Sequence, residues 1–105
     1  MRLITWNCNM AIHNKFDTLL ALRPDVALLQ ECASPDIPVA QPVYAASSSH
    51  AWTGTLATKG LAVLGFGAWS VAPLLAGPRG NLSLPVRVHG PRSFTVLALW
   101  TQGPR

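Results

Sequence analysis

Two apolar runs in the first third of the chain each deliver polar groups at their end. Leu3-Ile4-Thr5-Trp6-Asn7-Cys8-Asn9 carries an amide at Asn7, and Asp25-Val26-Ala27-Leu28-Leu29-Gln30-Glu31 ends in a carboxylate preceded by an amide. An apolar strand that finishes in a polar side chain brings that side chain to the rim of a sheet, where a ligand or a reacting group can be met. Acidic side chains are scarce, being Asp17, Asp25, Glu31 and Asp36 alone. Paired-carboxylate acid–base chemistry and multi-carboxylate metal cages must both draw on that short set. Asp17 falls on a helix and Asp25 at the start of the second run, so Glu31 is the one placed as a rim ligand. Asp36, in a proline-flanked loop, is the second candidate.

The elements that must position these groups follow from the flanking residues. The second run is preceded by Arg23-Pro24, and proline disfavours the helical conformation for the residue before it. Both runs therefore read as strands. Between them Phe16, Leu19, Leu20 and Arg23 recur at spacings of three and four, which predicts a helix. Asn14 is its expected N-cap and Asp17 lies in its first turn, where the helix dipole favours an anion. The opening third is thus strand, helix, strand. If the two strands lie parallel in one sheet, their C-terminal ends emerge on one edge and bring Asn7 and Glu31 together.

Beyond Glu31 the pattern dissolves from Ala33 to Ser49 into Pro35, Pro38, Pro42 and three serines, a long loop of the kind that in a compact domain is functional or disordered. Ala51 to Gly54 is a short strand, Thr55 to Thr58 a turn, and Gly60 to Leu64 a strand suited to burial on both faces. A break at Gly65-Phe66-Gly67 precedes a further strand over Ala68 to Ala72. Leu82 to Val88 and Ser93 to Trp100 form a hairpin around Gly90-Pro91-Arg92. Pro85 cannot donate to a ladder, so its strand should lie at an edge or turn that position outward. Trp6, Trp52, Trp69 and Trp100 each sit inside an apolar run, which favours core packing over stacking on bases.

The 105 residues suit a single domain. Half are apolar and only 11% are charged, against about 25% in ordinary domains. The net charge of +4 is dispersed from Arg2 to Arg105, so it points only weakly to nucleic acid. Cys8 and Cys32 follow the two strand ends and read as reduced, packed thiols, with a disulfide open as the alternative. Cysteine and histidine are too few at ligand spacing for structural zinc. No secretory signal is visible, so a cytoplasmic location is expected. Residues 60 to 77 lack charge, but their glycines and Pro73 fit two strands with turns better than a membrane span. A small membrane-associated protein using that stretch remains the third-ranked reading.

Several phrases in order carry a resemblance: Thr5-Trp6-Asn7-Cys8-Asn9-Met10, Arg23-Pro24-Asp25-Val26-Ala27-Leu28-Leu29-Gln30-Glu31-Cys32, Trp52-Thr53-Gly54, Lys59-Gly60-Leu61-Ala62-Val63, Leu84 to Val88 and Phe94 to Thr101. With these the chain resembles the endonuclease/exonuclease/phosphatase superfamily of metal-dependent phosphoesterases, in a bacterial branch. The resemblance implies an α/β fold, the N-terminal portion of a DNase I-like two-sheet α/β sandwich, β-rich with one helix. It implies that Asn7 positions the reacting phosphate and that Glu31 binds a divalent metal, Mg2+ or Mn2+. A single rim glutamate suits magnesium, which takes one or two carboxylates plus waters and substrate phosphate. Asn9 either assists Asn7 or caps the loop, and Lys59 either faces the phosphate or is solvated at its strand end. The implied partner is a phosphate-ester substrate, nucleic acid among the candidates.

The chain also departs from that family. The late histidine of a Ser-Asp-His-like motif and the Asp and Asn of a Gly-Asp-Phe-Asn-like motif are absent, and His13, His50 and His89 lack the required context. The expectation is therefore a fragment holding part of an active site, with little turnover alone. The second reading is a non-catalytic binding or scaffold domain that kept the fold.

Overall fold

Residues 1–74 and 83–100 are described by the computed structural model, with the side chain of His13 excepted. Leu3–Asn7 forms β1 and Val26–Cys32 forms β2, joined by the helix α1 over Ile12–Ala21. The two strands pair parallel, from Leu3 opposite Val26 to Asn7 opposite Gln30, as the strand, helix, strand pattern predicts. Ile12, Phe16 and Leu19 fall on one face of α1 and pack on the sheet, with Ile12 and Leu19 fully buried.

The boundaries of α1 differ from expectation. It begins at Ile12 after two left-handed residues, Asn9 (φ 49°) and Met10 (φ 61°), with Ala11 at the N-cap and no side-chain capping bond. Asn14 is therefore inside the helix rather than capping it, and no acidic residue occupies the first turn. The helix ends at Ala21, so Arg23 lies outside it in the left-handed region (φ 51°). Pro24 then bars continuation.

Ser49–Leu56 (β3) and Lys59–Gly65 (β4) complete a four-stranded sheet of order β1-β2-β4-β3, with β4 antiparallel to both neighbours. A second, antiparallel sheet of order β5-β6-β7 comprises Ser70–Pro73, Ser83–His89 and Phe94–Leu99. Successive residues of a strand point to opposite faces, which divides the interior in two. Ala27, Leu29 and Leu64 meet α1 on one side, whereas Val26 and Val63 meet Leu84, Val86 and Val88 between the sheets. Every residue of β4 but Lys59 is buried, as its apolar run predicts for a strand covered on both faces.

The expected α/β sandwich is not what forms. The fold is mostly β, with 48% strand against 20% helix and two short α-helices rather than several. The physical reason is connectivity: β1 to β2 is the one parallel pairing among the described residues, and the antiparallel pairings require only turns. The stretch read as a loop from Ala33 to Ser49 holds a 3-10 turn at Pro38–Ala40 and the helix α2 at Gln41–Ala46. Prolines there stand in the opening positions of each helical piece, where their missing N–H would have no intrahelical partner anyway.

β3 begins two residues before Ala51 and runs to Leu56, and β5 starts at Ser70 rather than Ala68. Leu82, expected at the start of β6, lies outside the described residues. β6 is the central strand of its sheet, so Pro85 is not on an edge strand. The Pro85 carbonyl accepts from the Leu74 N–H at 3.0 Å. A strand residue directs its nitrogen to the same side as its carbonyl, so the proline nitrogen faces the end of β5, and the ladder to β7 loses no donor. Residues 60–74 form β4, a turn and β5, and no helix among the described residues is long and apolar enough to cross a membrane.

Candidate functional site

The C-terminal ends of β1 and β2 open on one edge of the larger sheet, and two backbone bonds continue their pairing past Asn7. Cys8 N–H donates to the Gln30 carbonyl and Met10 N–H to the Glu31 carbonyl, each at 2.8 Å. Asn7 Nδ2 donates to Glu31 Oε2 at 2.7 Å, and Asn9 N–H donates to Asn7 Oδ1 at 2.9 Å. The backbone at Asn9 thus fixes which way the Asn7 amide faces. Asn9 acts here through its N–H as a loop-closing residue.

Glu31 owes its direction to a bulge. Leu29 stands opposite Ala62 and Cys32 opposite Gly60, so Gln30 and Glu31 together oppose Leu61. An extra residue interrupts alternation and re-aims a side chain. Glu31 takes it up in the left-handed region, φ 51°, at a cost of roughly 1–2 kcal/mol for a residue with a Cβ. Its carboxylate swings to the rim between Asn7 and Lys59, whose Nζ lies 3.8 Å from Oε1. Both side chains are part-exposed, Glu31 at 19% and Lys59 at 26%.

The smaller sheet closes the far side. Lys59 Nζ stands 5.1 Å from the centroid of the Trp100 ring, a cation–π distance. Gln30 Nε2 donates to the Leu99 carbonyl at 3.2 Å. The two residues that sequence reasoning left out of the rim are therefore Gln30 and Trp100. Gln30 carried a signal, as the amide beside the rim carboxylate, whereas Trp100 reaches the rim only by sheet-on-sheet packing.

Other sequence candidates lie elsewhere. Asp17 is on α1, and Asp25 sits at the opposite end of β2, its Oδ2 accepting the Arg2 N–H at 2.6 Å. Asp36 occupies the turn after β2, its N–H bonded to Ser34 Oγ at 3.1 Å. His50 packs edge-on against Tyr44 at 4.8 Å, and His89 ends β6, exposed. Cys8 and Cys32 turn inward, fully buried and free of a disulfide. A hydrogen bond to Cys32 and then burial push the Cys8 thiol up, while that same bond holds Cys32 below the usual thiol range. Tyr44, raised chiefly by burial, donates to the Ala33 carbonyl and lies 3.6 Å from Cys32 Sγ.

Glu31 Oε2 is bonded to Asn7, while Oε1 is ion-paired with Lys59 at 3.8 Å, beyond hydrogen-bond range. Among the described residues no three His, Cys, Asp or Glu side chains converge, so an all-protein cage of the calcium or zinc kind does not arise. Glu31 is the one rim carboxylate that could serve as an oxygen ligand, with the Asn7 amide donating to it rather than ligating beside it. No protein-family model matches this chain, and no curated protein matches it significantly.

Proposed function

We propose that the Asn7, Glu31 and Lys59 rim takes a divalent cation, magnesium or manganese, together with the phosphate of an ester. In this reading the chain carries the metal-binding part of a phosphoester hydrolase of the endonuclease/exonuclease/phosphatase kind. The observation that supports it best is the 2.7 Å contact between Asn7 Nδ2 and Glu31 Oε2 across neighbouring strand ends, made by a glutamate in a left-handed bulge. Strained non-glycine residues are commonly retained where a side chain must be aimed.

Each rim residue then has a distinct task. Glu31 offers Oε1 as ligand while Asn7 keeps hold of Oε2, so the carboxylate stays oriented whether or not it is ligating. Lys59, relieved of its partner, turns its ammonium to a phosphate oxygen. A cation held by Glu31 would polarise the phosphoryl group and neutralise charge on the leaving oxygen. The described rim includes no histidine to take a proton from water, and the chain alone is expected to turn over little.

The test is a magnesium titration followed by thermal unfolding, with Glu31→Ala beside the wild type. A ligand at about 100 times its Kd stabilises the folded state by roughly 2.7 kcal/mol. A shift in the wild type that is lost in Glu31→Ala is the expected result. A cooperative transition that magnesium moves in neither protein would overturn the metal site and leave a binding domain as the better description.

A further inference from the structure

A concavity lies at the other end of β1 and β2 from Asn7 and Glu31. Its volume is about 630 Å³, with Asp25, Trp69, Arg92 and Phe94 in its lining. Met1 and Asp25 also line a shallower neighbouring hollow of about 380 Å³, together with Arg2 and Arg23. Pockets of roughly 300–1,000 Å³ are those that take small ligands.

The charge there is concentrated by the fold. Arg2, Arg23 and Arg92 are three of the eight lysines and arginines in the chain and stand far apart in sequence. The residue before β1 and the left-handed residue after α1 bring Arg2 and Arg23 to the shallower hollow, and the turn between β6 and β7 brings Arg92 to the neighbouring cleft, with Asp25 lining both. Asp25 is the single carboxylate facing them, and its Oδ2 is already engaged by the Arg2 N–H. Arg2 is itself held by a bond from Nη1 to the Leu22 carbonyl.

The floor is aromatic and rigid. Trp69 is only 8% exposed. Its ring is seated so tightly against Gly90 that a Cβ there would fall 2.6 Å from it. Phe94 lies 6.2 Å away at a tilt of 58°. An apolar aromatic floor under a mouth of guanidinium groups matches a planar ring that carries an anion. Guanidinium forks bind phosphate oxygens in pairs, and ring edges and faces associate with the aromatic floor.

We infer that this cleft is a binding site for a nucleoside monophosphate, independent of the metal rim. Phosphate is met by Arg23 and Arg92, and the base rests on Trp69 and Phe94. The test is isothermal titration calorimetry of the whole chain with adenosine 5′-monophosphate, without divalent cation, beside adenosine alone and inorganic phosphate alone. The nucleotide is expected to bind at least about tenfold tighter than either part. Arg92→Glu and Arg23→Glu, both at exposed turns, should each weaken it by about tenfold or more with the wild-type unfolding transition retained. Glu31→Ala should bind as the wild type does, which separates this site from the rim. Absence of nucleotide binding, phosphate binding as tightly as the nucleotide, full affinity in Arg92→Glu, or loss of binding in Glu31→Ala would each overturn the inference.

Discussion

At Glu31 two local demands conflict, because the backbone conformation favours glycine while the rim needs a carboxylate. Replacing it separates them. Glu31→Ala keeps the left-handed strain and loses the bond to Asn7, whereas Glu31→Gly loses the same bond and relieves the strain. Glu31→Gly is therefore expected to be more stable than Glu31→Ala by about 1 kcal/mol in urea unfolding, with neither variant responding to magnesium. Equal stabilities would show that the bulge holds no strain. Asn7 and Glu31 were legible in the sequence because each terminates an apolar run and the runs are spaced for a parallel crossover. The bulge that aims Glu31 was not, since it depends on how β4 pairs with β2.

The buried thiols give a further residue-level expectation. Above the ordinary cysteine value of 9.0, an unfolded chain releases the Cys8 proton while the folded chain retains it. The unfolded state then binds fewer protons, so stability falls as pH rises, by at most about 1.4 kcal/mol per pH unit for each such group. Tyr44, raised from 10.0, adds a loss of the same sign above that value. Cys32 is lowered and works oppositely: it adds stability above 9.0 that is lost as pH falls through its folded value. Urea unfolding under reducing conditions should show a decline above pH 9 that is shallower in Cys8→Ala than in the wild type.

Among the elements, β4 depends on a close crossing. The Trp52 indole lies over Gly60 and donates from Nε1 to the Cys32 carbonyl at 3.0 Å. A Cβ on Gly60 would come 2.4 Å from both the Trp52 ring and the Thr53 carbonyl oxygen. Gly60→Ala is thus expected to cost about 1–3 kcal/mol, read as a lower urea midpoint. At the end of α1, Arg23 holds a left-handed position usual for glycine, and Arg23→Gly should raise stability by about 1 kcal/mol. A fall instead would mean that the Arg23 side chain contributes more to packing than its exposure indicates. The apolar stripe of α1 and the run of β4 could be read directly. The caps could not, because Asn14 has capping chemistry but the chain turns earlier, at Asn9 and Met10. α2 was hidden by prolines that obstruct a helix interior yet are tolerated at its start.

For the molecule as a whole, the number of strands could be read from alternation and turn residues, but their partition into layers could not. Local sequence shows that a strand is covered on both faces, as for Gly60 to Leu64, without showing whether helices or another sheet provide the cover. Here the second sheet supplies much of it, which is why the chain is mostly β. The same packing brings arginines dispersed over ninety residues of sequence to two neighbouring hollows that share Asp25, a grouping that net charge cannot disclose.

The ties from Gln30 to Leu99 and from Lys59 to Trp100 also set an order of assembly during synthesis. Asn7, Glu31 and the β4 pairing that aims Glu31 all lie within residues through Gly65, so that pair can meet before the second sheet has emerged. The Gln30 to Leu99 bond and the Lys59 to Trp100 contact form only after β7 has emerged. A nascent chain stalled before Phe94 would therefore present the carboxylate and its amide without the ring that steadies the lysine.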